Sequence, residues 1–294
     1  GERLRCVGFY SSGDLKDWRF ESRVEQDAWG DELCGCVDFF ELPVERNSDD
    51  RKWVMILIDG SYLIGTFDGT TFFNQDGKPA VTKDRIQSLV VDHNYYATMT
   101  WHNVPDDRRV QITWMRSPHH FPGMSYGQQM TLPSELTLHS TEEGLRLRMN
   151  PIREFESLRT RTHSFEEVVL KQGTNPLSGI HAELLDLEVE FEPLPGSETV
   201  FDMRGIPVTY VADTQALSCG PAETTLAPID GRIRLRVIQD RTCIEVYGND
   251  GRVYIPVVQP PEEGNTSLRA SCGLKRIKAN YLRVHELESA WSQQ

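Results

Sequence analysis

Leu185-Asp186-Leu187-Glu188-Val189-Glu190-Phe191-Glu192 alternates apolar and acidic residues without a break. Successive side chains of an extended strand point to opposite faces, so this octet predicts a strand with one buried face and one acidic face. The same alternation recurs on either side. Leu145, Leu147 and Met149 alternate with Arg146 and Arg148, and Ile233, Leu235 and Val237 alternate with Arg232, Arg234 and Arg236. The arginine face of the second run is the natural cross-strand partner of the Asp186–Glu192 face. Two hairpins are legible from their turns. Cys243–Tyr247 and Arg252–Ile255 flank Gly248-Asn249-Asp250-Gly251, and Trp53–Ile58 and Tyr62–Phe67 flank Asp59-Gly60-Ser61. Helical periodicity is scarce, and the one helix candidate is the polar stretch Phe155–Leu170. The expected fold class is all-β.

Two textures divide the chain. Residues 1 to about 130 hold five of the six tryptophans, and residues beyond about 136 show regular strands with one charged face each, as in a β-sandwich. A repeat of roughly 40–45 residues, the size of a propeller blade, fits about three times into the first region. A closed propeller needs more blades than that, so the expectation is a partial β-propeller over 1–132. A β-sandwich with its linker strand is expected over 133–294.

Composition narrows the function classes. The 294 residues are 38% hydrophobic, enough for a real core, and the net charge of −13 with no basic stripe argues against nucleic acid as a partner. No apolar run approaches the roughly eighteen residues of a membrane span. No signal peptide is visible, which leaves the destination unknown and a secreted or periplasmic parent permitted. The six cysteines are scattered, and Cys34-x-Cys36 is too isolated for a four-ligand zinc site. Free cysteines are expected. Asn265-Thr266-Ser267 is a lone glycosylation sequon.

Several further runs fall in a fixed order. They are Ser11-Ser12-Gly13-Asp14-Leu15-Lys16-Asp17-Trp18, Gly35-Cys36-Val37-Asp38-Phe39-Phe40-Glu41-Leu42-Pro43, Trp53-Val54, Tyr62–Gly69 and Asn94-Tyr95-Tyr96-Ala97. Arg108–Met115, Pro133–Leu138 and Asp240–Gly251 follow. In this order, and over nearly the whole chain, they resemble the motifs of glycoside hydrolase family 32, the β-fructosidases that include levanases, inulinases and invertases. The closest correspondences are with S-x-D-L-x-x-W, E-C-P-D-F-F-E-L-P and G-R-R-x-x-I-x-W-M. The resemblance implies a five-bladed propeller followed by a sandwich, a fructan or sucrose-type carbohydrate as partner, and no metal or organic cofactor.

It also implies a chemistry. Retaining hydrolysis of a fructosyl bond needs two carboxyl groups about 5–5.5 Å apart, one as nucleophile and one as acid/base. The family's nucleophile lies in a W-x-N-D-P-N-G motif, and an R-D-P triplet supplies a second aspartate. Neither occurs here, so both are expected upstream of Gly1. The acid/base glutamate precedes the cysteine of E-C-P-D, and that position is Gly35. Glycine moves no proton. Glu32 lies three residues earlier, an odd offset that points away in a strand unless a bulge intervenes, and Glu41 has the right parity but lies too far along. No catalytic residue is therefore assigned, and the chain alone is expected to be inactive. The alternative is a non-catalytic homologue that binds a fructan or a partner chain, such as the missing propeller segment or another copy. A third reading is a stability module without a ligand.

Asp38, Tyr95 and Trp114 are the candidate substrate-binding residues. Asp38 matches the aspartate of the signature, Tyr95 or its neighbour Tyr96 can point inward, and Trp114 suits an aromatic platform. Asp68-Gly69 reads as a turn former, Trp53 and Trp101 as core, Glu245 as a sandwich surface or interdomain contact, and His119-His120 as a solvated loop.

Overall fold

The computed structural model describes residues 6–25, 35–46, 49–84, 86, 90–91, 94–117, 121, 124 and 126–291. Strands dominate. Among the described residues the helical turns are three short 3-10 segments, Thr82–Asp84, Pro105–Asp107 and Arg153–Leu158. Among the described residues no helix is long and apolar enough to cross a membrane. The chain divides into two compact units that interleave in sequence. One comprises Gly1–Leu89, Tyr95–Trp114 and Met130–Arg148, the other Val90–Asn94, Met115–Gln129 and Met149–Gln294.

The first unit opens with a two-stranded sheet of β1 (Cys6–Ser11) and β2 (Arg19–Glu25). A four-stranded meander follows: β3 (Asp38–Pro43), β4 (Arg51–Ile56), β5 (Tyr62–Phe67) and β6 (Phe72–Asn74). The hairpin expected around Asp59-Gly60-Ser61 forms, with Trp53 opposite Gly65. Its turn closes because Gly60 takes φ 80° and Asp59 Oδ1 accepts from Ser61 N at 2.9 Å. Gly65 cannot be anything larger, since a Cβ there would lie 1.8 Å from the Phe73 carbonyl oxygen. Met55, Leu57, Leu63 and Phe72 fill the core of this sheet, and Phe9, Phe39, Trp53 and Phe67 close over it as a ring cluster. Phe39 and Trp53 stack at 4.6 Å, and Phe9 meets Phe39 edge-on at 5.2 Å. Trp53 thus packs as expected.

The next sheet contains β7 (Tyr95–Val104), β8 (Arg108–Met115), β9 (Gln129–Met130), β10 (Ser134–Thr141) and β11 (Gly144–Pro151). Its order is β11-β10-β8-β7, with β9 also on β8. The stretch from Ser134, read from the sequence as a linker strand, is hydrogen-bonded to β8, with Glu135 opposite Val110.

The second unit holds a two-layer sandwich. Its strands are β12 (Arg159–Lys171), β13 (Leu185–Phe191), β14 (Glu198–Met203), β15 (Ile206–Val211), β16 (Ala216–Cys219) and β17 (Ala222–Thr225). They continue with β18 (Ile233–Gln239), β19 (Cys243–Gly248), β20 (Val253–Val258), β21 (Leu268–Gly273) and β22 (Arg276–Leu287). One sheet runs β12-β22-β13-β18-β19-β20 and the other β17-β16-β15-β14-β21. Leu185, Leu187, Val189 and Phe191 are fully buried between them, and Phe191 meets Phe201 and Tyr210 of the opposite sheet. Burial of each such side chain stabilises by about 1.5–3 kcal/mol.

The other face of β13 bears out the pairing read from the sequence. Glu188 lies opposite Arg236 and Glu190 opposite Arg234. Arg236 donates Nε to Asp186 Oδ1 at 2.9 Å, and Arg234 donates Nε to Glu190 Oε2 at 2.6 Å. The Cys243–Ile255 hairpin also forms, its turn carried by positive φ at Asn249, Asp250 and Gly251. A Cβ on Gly251 would lie 2.1 Å from the Met149 carbonyl oxygen, so only glycine fits.

One expectation fails here and one loses the first of its two alternatives. Phe155–Leu170 is not a helix. The 3-10 turn Arg153–Leu158 leads into β12, which pairs with β22 along its length. Glu167 takes φ 52° and resets the alternation, so inward positions fall at 163, 165 and then 168, a spacing that imitates a helix. Glu245 is not on a surface. It is 1% exposed and accepts hydrogen bonds from the hydroxyls of Tyr247 at 2.9 Å and Tyr254 at 2.5 Å, which satisfy the buried carboxylate.

Candidate functional site

The candidate site starts where β3 starts. Gly35 and Cys36 form a bend ahead of Asp38, and Cys36 takes φ 47° with its side chain exposed. A non-glycine residue at positive φ breaks strand alternation. Period-two counting therefore does not carry across Cys36. Glu32 itself lies outside the described residues, as do His119 and His120. At Gly35 the chain offers only backbone groups.

Asp38 is 6% exposed and works as a clamp between strands. Its Oδ2 accepts from the backbone N of Thr100 at 2.8 Å and from Thr100 Oγ1 at 2.6 Å, and Oδ1 accepts from Phe39 N at 3.0 Å. Thr100 sits on β7, so the carboxylate ties β3 to β7. Arg109 of β8 completes the cluster. Its guanidinium lies 4.5 Å from the centre of the Phe40 ring, and Nη1 donates to Thr100 Oγ1 at 3.2 Å and to the Trp101 carbonyl at 3.3 Å. Burial lowers the Arg109 pKa, while the carboxylates of Asp38 and Asp107 pull it back up. Arg109, Thr100 and Asp38 thus form a relay of cation, hydroxyl and carboxylate, set by fixed neighbours.

Tyr95 lies elsewhere on the same sheet. It is 4% exposed, and its hydroxyl accepts from Gln111 Nε2 at 3.1 Å, while Gln111 Oε1 accepts from Thr98 Oγ1. Asp38 meets β7 at Thr100, five positions beyond Tyr95, up to ~17 Å along an extended strand. Clamp and tyrosine are therefore separate clusters. Tyr96, half-buried, meets Trp114 edge-on at 6.0 Å, and Trp114 is 37% exposed. The aromatic pair that reaches water is Tyr96–Trp114, with Tyr95 behind it. Trp101, expected in the core, is 46% exposed because it shares the outer side of β7 with Met99. Asp68 is a turn former as expected. Its Oδ1 accepts from Thr70 N, Thr71 N and Thr70 Oγ1, which lower its pKa.

Sequence reasoning missed the partners Thr100 and Arg109, whose link to Asp38 spans 62 and 71 positions. The one signal was the paired arginine at the start of β8. Among the described residues one cluster of possible metal ligands, Asp186, Glu188 and His285, lies on the sandwich. Its carboxylates are filled by cations already, since Arg159 and Arg236 both donate to Asp186.

Residues 2–151 match the description "Glycosyl hydrolases family 32 N-terminal domain", and residues 154–270 match "Glycosyl hydrolases family 32 C terminal". The chain belongs to glycosyl hydrolase family 32. It is 26% identical to a levanase of Bacillus subtilis over 96% of this chain and 47% of that protein. It is 28% identical to a levanase of Bacillus sp. strain L7 over 99% of this chain and 35% of that one. The chain thus spans about half or less of these relatives. Its fold matches exo-inulinase from Aspergillus awamori with TM-score 0.78 at 18% identity, covering 98% of this chain and 63% of that one. It also matches fructofuranosidase from Schwanniomyces occidentalis complexed with fructose, TM-score 0.79 at 18% identity, over 97% and 66%. The fold of this family 32 chain is accordingly the propeller-plus-sandwich class expected from its motifs, and its relatives are fructosyl hydrolases.

Proposed function

We propose that this family 32 chain is a fructosyl-hydrolase homologue that binds a fructan or sucrose-type carbohydrate and does not cleave it by itself. The observation that carries this reading is Gly35, which stands in the signature where an acid/base carboxyl would and has no side chain to move a proton. Asp38 does not replace it, because both its oxygens accept hydrogen bonds from the protein. A buried carboxylate whose oxygens are taken up in this way positions its neighbours and orients the Thr100 hydroxyl. Sugar contact falls to Trp114 with Tyr96, which present ring surface, while Tyr95 supports them from behind. The reading keeps 1–132 as the propeller part and 133–294 as the sandwich with its linker strand.

A second reading, partner binding, is favoured by β1–β2. Among the described residues that sheet has two strands where β3–β6 has four, and it exposes Tyr10 and Phe20 at 57% and 50%. The partner would be a further propeller segment or a second copy of the chain.

The test is release of reducing sugar from sucrose, inulin and levan by the purified chain, with its mass recorded in denaturing and native conditions. No release, with levan or inulin binding that Trp114→Ala weakens, is the expected result. Release by a single chain of verified mass overturns it. A native mass above the monomer supports the second reading, and a monomer without companion opposes it.

A further inference from the structure

At one end of the six-stranded sandwich sheet, Lys171 of β12 lies directly opposite Arg276 of β22. The next outward pair is Val169 opposite Lys278, while Leu170 and Ile277 between them turn into the core. Like charges directly opposite on one sheet face are destabilising. Elsewhere on this sheet the outward charges alternate in sign, as in Arg234 on Glu190 and Arg236 on Asp186. Here one of the three cations, Lys278, has a carboxylate partner: Glu167, whose Oε1 lies 2.6 Å from Lys278 Nζ. Among the described residues Lys171 and Arg276 have no carboxylate within ion-pair distance. The cations line a groove of about 310 Å³ in which Val169, 47% exposed, is the outward apolar side chain.

A lysine on an edge strand discourages edge-to-edge pairing, and that accounts for Lys171 alone. Arg276 and Lys278 are on β22, an interior strand with neighbours on both sides. Three positive groups against one negative leave two uncompensated charges in a chain whose net charge is −13. The planar guanidinium of Arg276 offers a two-pronged donor for tetrahedral oxygens, and the two ammonium groups add point charges. We propose that this groove binds a phosphate dianion, with the apolar side chain of Val169 as the floor for a small organic group esterified to it. The site lies in the sandwich unit and does not depend on the carbohydrate reading of the first unit.

The full chain is titrated with inorganic phosphate and with a hexose 6-phosphate at constant ionic strength, followed by calorimetry and by the Val169 methyl resonances. Saturable binding is expected in the unmodified chain, weakened at least about tenfold in the Lys171→Gln/Arg276→Gln double variant. Arg276→Lys, which keeps the charge and loses the fork, falls between. Thermal melts in chloride establish that the variants stay folded. Tighter binding of the ester than of the free ion places an organic group over Val169, and equal binding assigns the site to the ion itself. Binding unchanged in the double variant, or a response matched by chloride at the same ionic strength, overturns the proposal.

Discussion

The acidic face of β13 and the clamp at Asp38 solve one problem in two ways. Each buries a carboxylate almost completely. On β13, Asp186 is 0% exposed and takes hydrogen bonds from two guanidiniums, Arg159 and Arg236, that also reach Glu188. At β3, Asp38 takes two hydrogen bonds from one threonine and keeps its cation, Arg109, one hydroxyl away. The first arrangement is an ion network in which every removal strands a charge. The second is a mostly neutral clamp in which a hydroxyl and a backbone N–H do the holding. The sandwich sheet uses charges in register, whereas the carboxylate that ties β3 to β7 is held by a hydroxyl and backbone N–H groups that do not titrate.

The comparison can be broken from its strong side first. Asp186→Ala removes the fully buried one of the two carboxylates that Arg159 and Arg236 share, and loss of one partner from a buried ion network costs about 3–5 kcal/mol. Denaturant midpoints of the variant and of Arg236→Gln, measured beside the unmodified chain, check this. A change under about 1 kcal/mol would mean that Glu188 and water take over. Asp38→Ala is expected to cost less, about 1–3 kcal/mol, the penalty for an unsatisfied buried donor. Asp38→Asn, which keeps an acceptor oxygen for Thr100, recovers part of it. Equal losses in Ala and Asn would show that the charge toward Arg109 matters more than the hydrogen bonds.

The smallest effect is a slope with pH. His285 is buried beside the Asp186 network, and burial together with Arg159 lowers its pKa against the pull of Asp186 and Glu188. His139 is lowered by burial and by Arg148. A histidine whose folded pKa is depressed takes up fewer protons folded than unfolded, so stability is lost as pH falls through the unfolded value of about 6.5. Denaturant midpoints are expected to drop between pH 7.5 and 5.5, and His285→Gln flattens the drop in part. A steeper drop in that variant would contradict the assignment.

What the sequence made legible follows the same division. The face of β13, its pairing with β18 and the two tight hairpins rest on near neighbours and on a period of two, which a reader can count. The clamp joins Asp38 to Thr100 and Arg109 across a folded loop, and no local pattern announces it. The surface alternative for Glu245 failed because alternation says which face a residue takes, not whether that face is covered; Glu245 is 1% exposed and bonded to Tyr247 and Tyr254. Trp101 was misjudged because tryptophan is usually buried. The misreading of β12 is of another kind. A single left-handed residue, Glu167, shifted the phase, and its partner strand shifts at the same place, around Asn280 and Tyr281.

The order β12-β22-β13 has a consequence for biosynthesis. Lys171 pairs with Arg276 and Arg159 with Leu287, so β12 waits more than a hundred residues for its neighbour. Until β22 leaves the ribosome, β12 and β13 have no strand between them, and each carries an open edge into the cytosol or across a translocon. Contacts this far apart in sequence slow folding, because the intervening loop must close before any pairing rewards it. Nascent chains stalled before Arg276 should therefore need a chaperone that holds β edges, and chains released past Leu287 should not.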